Sequence, residues 1–266
     1  MKDNILAIVA KVNEPAEKLN LMREYIQAYI LRSLHESEAF VNLSFVGGTA
    51  LRFVYNLPRF SEDIDFSLEN NSGYEPVNWI KKIKRDLSFA GFDVSMSWND
   101  KTNVHKAWIK VKQLLKDAGL AAMKQQNLSI KLEIDTRPPK GAVCHRIVVA
   151  RHVLFSVQHH DLASLMAGKI HALVTRKYMK GRDWYDLLWY RGHRPQPEPN
   201  LKLLQNALDQ TQGTNKVKAA DWKKYLIEKM KHLDCKKLAA DVQPFLEQPA
   251  DASLITLKNF EAVLFD

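Results

Sequence analysis

The chain has 266 residues, 46% of them apolar and 26% charged, the balance of an ordinary globular protein and not of a disordered, collagenous or coiled-coil chain. No apolar run approaches the ~20 residues that span a bilayer, and the N-terminal run of about six apolar residues, with acids on both sides, does not read as a signal peptide. The two cysteines, Cys144 and Cys235, cannot build a disulfide framework, so the expectation is a soluble, cytoplasmic protein with no membrane contact. The net charge of +9 is concentrated in residues 101–200, which carry 18 basic and 7 acidic side chains. A surplus confined to one segment points to a phosphate-bearing partner.

In chain order, the first forty residues read as helical. Asn13 is an N-cap candidate and Pro15 a first-turn residue, and Leu19, Met22, Tyr25, Ile26, Tyr29 and Ile30 recur at helical spacing. A short strand over 41–46 ends on Gly47-Gly48, and Thr49 to Tyr55 suits a short helix. After the turn-like Asn56-Leu-Pro-Arg59, residues 63–68 alternate with period two. Residues 76–90 suit an amphipathic helix with Val77, Ile80, Ile83 and Leu87 inward, stopped near Gly91.

Strands are expected over 92–98, 104–112, 128–135 and 146–157. The second puts Lys106, Trp108, Lys110 and Lys112 on one face and Ala107, Ile109 and Val111 on the other. Asp161 can cap a helix running to about Tyr178, and another helix should begin near Asp183. Three prolines between 195 and 199 forbid helix and predict an extended hinge, and 200–266 looks wholly helical. The order implies an α/β domain over 1–158, N-terminal helices included, and a helical domain over 159–266.

Three constellations carry chemistry. In the first, Gly47-Gly48-Thr49 at a strand end lets backbone N–H groups approach a ligand at the start of a helix, a natural anion site. Downstream, Asp63 and Asp65 share one strand face with Ile64 turned to the core, and two adjacent carboxylates repel unless a divalent cation joins them. In the second, Lys131, Glu133 and Asp135 share a face of the 128–135 strand, where a third carboxylate would complete a metal site. In the third, Lys169 and Arg176 lie two turns apart on one helix, and Asp183 and Asp186 one turn apart on the next, able to orient either cation.

Gly47-Gly-Thr-Ala-Leu51, Arg59-Phe-Ser-Glu-Asp-Ile-Asp65, Lys131-Leu-Glu133, Lys169-Ile-His-Ala172 with Arg176, and Arg182-Asp-Trp-Tyr-Asp186 occur in that order over about residues 40–190. Together they resemble the AbiEii/AbiGii-type nucleotidyltransferase toxin family, within the DNA polymerase beta-like nucleotidyltransferase superfamily. The resemblance implies an α+β fold, a mixed sheet with helices followed by a helical bundle. It implies transfer of a nucleoside monophosphate from an NTP to a hydroxyl acceptor, RNA with tRNA 3′ ends as one class, and an antitoxin partner. By the same resemblance, Asp63, Asp65 and Glu133 would hold Mg²⁺ or Mn²⁺, with Glu133 helping to activate the acceptor. Gly47, Gly48, Thr49 and Ser61 would lie at the triphosphate, and Lys169 and Arg59 would neutralise phosphate charge, with Arg176, Asp183 and Asp186 beside them. Between the two acids of the 128–135 strand, the resemblance selects Glu133. Its mid-strand position agrees, because Asp135 adjoins the Thr136-Arg-Pro-Pro139 exit and is placed to pair with Arg137 or water.

Other classes compete. Cys144, His145, His152, His159 and His160 crowd one region, but their spacing fits no short zinc motif. A non-catalytic nucleotide or nucleic-acid binder gains nothing from three carboxylates beside phosphate. A small-molecule nucleotidyltransferase acting on a cationic acceptor is disfavoured by the basic surplus.

Overall fold

The computed structural model describes residues 1–121 and 126–265; four positions of the basic segment and residue 266, the end of the predicted helical stretch, lie outside them. The chain divides into two compact units. The first comprises Met1–Val54, Phe60–Pro138 and His145–His159, and the second Tyr55–Arg59, Pro139–Cys144 and His160–Asp266. Two short segments that precede residue 158, 55–59 and 139–144, thus group with the helical unit.

The sheet has seven strands: β1 (Leu43–Val46), β2 (Ile64–Leu68), β3 (Val94–Asn99), β4 (Val104–Val111), β5 (Leu128–Asp135), β6 (Cys144–Val149) and β7 (Phe155–His160), in the order β3-β4-β5-β2-β1-β7-β6. It is mixed. β1 runs antiparallel to β2 and parallel to β7, β2 runs parallel to β5, and β4 is antiparallel to both β3 and β5. The expected alternation holds in β4, where Ala107, Ile109 and Val111 are all buried, and in β5, where Leu128, Ile130, Leu132 and Ile134 are. Each of the valine, leucine and isoleucine side chains contributes about 1.5–3 kcal/mol on burial.

Two helices of the first unit, α2 (Pro15–Glu36) and α4 (Pro76–Phe89), pack beside each other, with Ser33 Oγ donating to Asp86 at 2.7 Å. α2 starts after Glu14, not Asn13, and follows a separate short helix α1 (Lys2–Val9). α4 buries Trp79, Ile83 and Leu87, while Val77 is exposed; spacing by four puts Trp79 on the inward stripe and Val77 off it. α3 (Gly47–Tyr55) begins directly at the glycines, and a short α5 (Leu114–Asp117) follows β4.

The single strand expected over 146–157 is two, β6 and β7, separated by residues 150–154. The chain reverses through His152, whose φ of 61° is a left-handed value that period-two hydropathy does not reveal. That turn closes a buried ionic cluster. Glu24 of α2 is 4% exposed and meets Arg52 at 2.5 Å, His152 at 2.9 Å and Arg151 at 3.4 Å.

Burial pushes the Glu24 carboxyl up, but the His152 hydrogen bond and the two arginines outweigh it and hold the group at about 2 against an ordinary 4.5. A depressed folded value means the stabilisation is complete above the unfolded pKa and fades as pH falls through the folded one, a span worth roughly 3 kcal/mol, of which about 2 is lost between pH 7 and pH 3. Urea unfolding at those two pH values is therefore expected to show a smaller acid loss in Glu24→Gln than in the wild type. An equal loss would remove Glu24 as its source.

The second unit is helical: α6 (Leu162–Thr175), α7 (Gly181–Gly192), α8 (Leu201–Gln212), α9 (Trp222–Met230), α10 (Cys235–Val242) and α11 (Leu257–Phe265). Asp161 caps α6 as expected, accepting from the Ser164 N–H at 2.8 Å, and Asn200 caps α8. α6 stops at Thr175, short of Tyr178, because Arg176 is extended and Lys229 Nζ takes the Leu173 and Arg176 carbonyls at 2.8 and 3.0 Å. The proline segment is a non-helical connection between α7 and α8. Trp184 packs edge-on against Phe260 with centroids 5.0 Å apart. Among the described residues, no helix is long and apolar enough to cross a membrane.

Candidate active site

In the first unit, the β1–α3 junction and the start of β2 form one rigid corner. Val46 is the register partner of Asp65, and Gly47, the next residue, has φ +77°. A Cβ at Gly47 would stand 2.5 Å from Asp65 Oδ2, so both the backbone and the space require glycine. Gly48 and Thr49 are buried in the first turn of α3, and the Thr49 hydroxyl donates to the Asp63 carbonyl. Ser61 and Glu62 are held through their carbonyls by the buried Gln27 amide of α2, at 3.0 and 2.9 Å. The segment that delivers Asp63 is therefore fixed from two sides. Gly47→Ala is expected to lose about 1–2 kcal/mol of stability through the left-handed backbone alone, and to lose transfer beyond that because it displaces the Asp65 carboxylate. Full transfer activity in that variant would show that Asp65 needs no such placement.

The β2–β5 register brings the acids together. Asp65 lies opposite Glu133 and Ser67 opposite Asp135, on parallel strands about 4.8 Å apart. Lys131 Nζ stands 3.2 Å from Asp63 Oδ2 and 2.8 Å from Glu133 Oε2, and Lys106, opposite Glu133 on β4, is 3.1 Å from Glu133 Oε1. Burial raises the Glu133 carboxyl, but hydrogen bonds from Lys131 and Lys106 more than offset it and leave it below the ordinary range. Lys131 responds in kind: burial lowers it, and Glu133 and Asp63 lift it above the usual lysine value. Asp135 differs, since burial pushes its carboxyl up against only the Arg137 backbone N–H, which donates to it at 2.9 Å.

Asp63, Asp65 and Glu133 offer oxygen donors alone, the set that suits Mg²⁺ or Mn²⁺, and an ammonium already bridges Asp63 and Glu133. The residues fit a divalent cation. Lys106 was assigned from sequence only to a basic face; its place at Glu133 follows from strand pairing, for which the sequence carries no local signal.

In the second unit, α6 and α7 assemble the other predicted group. Lys169 Nζ lies 3.2 Å from Asp183 Oδ1 and 2.7 Å from Asp186 Oδ2, and Arg176 pairs with the other Asp183 oxygen. The Lys169 side chain is 14% exposed, so it neither reaches into bulk water nor lacks partners. Burial raises the Asp183 carboxyl, but Lys169 and then Arg176 bring it net below the ordinary range. Arg59, expected beside phosphate, is braced by a carboxylate. It is 1% exposed, and its Nε and one terminal nitrogen each donate to Asp186 at 2.6 Å, so its charge is turned inward. Arg182, also in the motif, stacks over Phe245 at 4.2 Å.

A family model described as nucleotidyl transferase AbiEii toxin, Type IV TA system, matches residues 29–265. Among solved structures, a candidate nucleotidyltransferase from H. pylori is similar at a TM-score of 0.57 and 18% identity, over 92% of this chain and 94% of that one. JHP933 from Helicobacter pylori is similar at 0.51 and 18%, over 92% of each chain. These two likenesses concern the fold. No curated protein sequence matches the chain. With the family model covering nearly its whole length, the chain belongs to the AbiEii nucleotidyltransferase toxin family and is a nucleotidyltransferase.

Proposed function

We propose that this enzyme moves a nucleoside monophosphate from an NTP to a hydroxyl of an RNA acceptor, with a divalent cation on Asp63, Asp65 and Glu133, and that a cognate antitoxin restrains it. The observation that carries the reading is the pairing of Asp65 with Glu133 across β2 and β5, with Lys131 bridging Asp63 and Glu133. In the transfer, the acceptor oxygen bonds to the α-phosphorus as the bond to the β-phosphate oxygen breaks, and pyrophosphate leaves. When bound, the cation supplies charge neutralisation at the phosphates.

The protein's own contributions are positional. Glu133, kept ionised by its two lysines, accepts the proton of the acceptor hydroxyl. The amides of Gly47, Gly48 and Thr49, at the N-terminus of the nine-residue α3, receive triphosphate oxygens. Lys169 and Arg176 neutralise phosphate, held in position by Asp183 and Asp186. Arg59 is a positioning residue that fixes Asp186 from the far side.

The test is to incubate the protein with each labelled NTP, Mg²⁺ and total cellular RNA. Label is expected in a discrete RNA band, lost on chelation. Label in a small product with none in RNA would mean a small-molecule acceptor, and no transferred label at all would mean a nucleotide binder without this activity.

A further inference from the structure

The open face of the first unit's sheet carries a feature that the carboxylate site does not use. On β4, Trp108 lies between Lys106 and Lys110, opposite in face to the buried Ala107, Ile109 and Val111, and it is 44% exposed. Among the described residues its indole side chain has no hydrogen bond, ring contact or cation-π partner. Its register neighbours are Ser97 on β3 and Lys131 on β5, and Lys110 in the next row stands between Ser95 and Ser129. The short Ser97 on one side leaves the indole standing above that neighbour, with Lys131 on the other side and Lys106 and Lys110 along its own strand.

We propose that Trp108 is a stacking platform for an unpaired base at the acceptor end of a single-stranded RNA, with Lys110 and Lys112 meeting its backbone phosphates. The inference rests on the acceptor reading above and deepens it. Every base has a π-face, so one exposed indole binds single strands with little sequence preference, and lysines alongside supply the polyanion attraction. Position supports the same occupant. Lys131, level with Trp108, is two residues from Glu133 on β5, about 7 Å along the strand, a span like that from a base to its own sugar hydroxyls. A base on Trp108 therefore puts its ribose beside the carboxylates.

The test uses the full chain without NTP and a fluorescent single-stranded oligoribonucleotide, read by anisotropy at several salt concentrations. Trp108→Ala is expected to weaken binding about tenfold with an unchanged salt slope, while Trp108→Phe recovers most of the affinity. Lys110→Ser is expected to flatten the slope by roughly 0.7, the value of one single-strand phosphate. Calorimetric NTP affinity should be the same in Trp108→Ala and wild type. Equal RNA affinity in wild type and Trp108→Ala would overturn the platform and leave RNA transfer standing. No oligoribonucleotide binding by the wild type, with transfer to a small hydroxyl compound intact, would overturn acceptor and platform together. A loss of NTP affinity in place of RNA affinity would overturn it too, by giving the ring to the incoming nucleotide.

Discussion

Glu133→Gln is expected to lower nucleotidyl transfer by at least about 100-fold, the usual range for a positioned acid–base group, whereas Asp135→Asn keeps most of the activity. Two observations separate these acids, which share a strand face. Glu133 is level with Asp65 across the β2–β5 pair, while Asp135 is level with Ser67. Glu133 is also held ionised by Lys131 and Lys106, whereas burial lifts the Asp135 carboxyl, with the Arg137 N–H turned back onto it. A metal ligand must be fixed in place, and Glu133, level with Asp65 and held by two lysines, is the acid placed for that role. Stability should move little in Glu133→Gln, because Lys106 is 44% exposed, where solvent-screened pairs are worth about 1 kcal/mol or less, and Lys131 keeps Asp63 as a partner at 3.2 Å. The pairing of lost transfer with a little-changed melting temperature is the distinguishing result. Activity surviving in Glu133→Gln and vanishing in Asp135→Asn would reverse the assignment.

Asp186→Asn is expected to have the largest effect on stability. The carboxylate is 0% exposed and accepts two bonds from an arginine that is 1% exposed, with Lys169 at 2.7 Å as a third donor. Burial works against the charge on Arg59, and Asp186 is the main group that restores it, carrying its pKa above the ordinary value. Removing one partner of a buried pair leaves the other uncompensated, at a cost of about 3–5 kcal/mol. In a protein of this size that is a fall in melting temperature of roughly 10 °C. Arg176→Gln supplies the contrast: it also breaks a pair, with Asp183, but its side chain is 38% exposed, so the expected loss is within about 1 kcal/mol. Calorimetric melting of both variants checks the ranking, and equal shifts would show that burial does not set the worth of these pairs.

Much of this protein is determined within short windows of its sequence. Period-two alternation sets which face of β4 and β5 is apolar, because successive side chains on a strand point to opposite sides wherever the strand lies. The Gly-Gly turn, the Asp161 cap and the proline segment between α7 and α8 follow from backbone allowances that belong to the residues themselves. The carboxylates and lysines of the site were legible as residue types at fixed spacing.

Tertiary structure decided which of them meet. Asp65 and Glu133 become neighbours only through a parallel pairing of β2 with β5, and Arg59 and Asp186 only across 127 positions of chain. Alternation fixes a face but no partner and no register, since a slip by two residues preserves the pattern and would place Asp135, not Glu133, beside Asp65. The inward turn of Arg59 and the split of 146–157 into β6 and β7 depended likewise on what the rest of the fold places against them. A charged side chain carries in its sequence the capacity to bind phosphate or to brace a carboxylate, and burial by distant elements selects between the two.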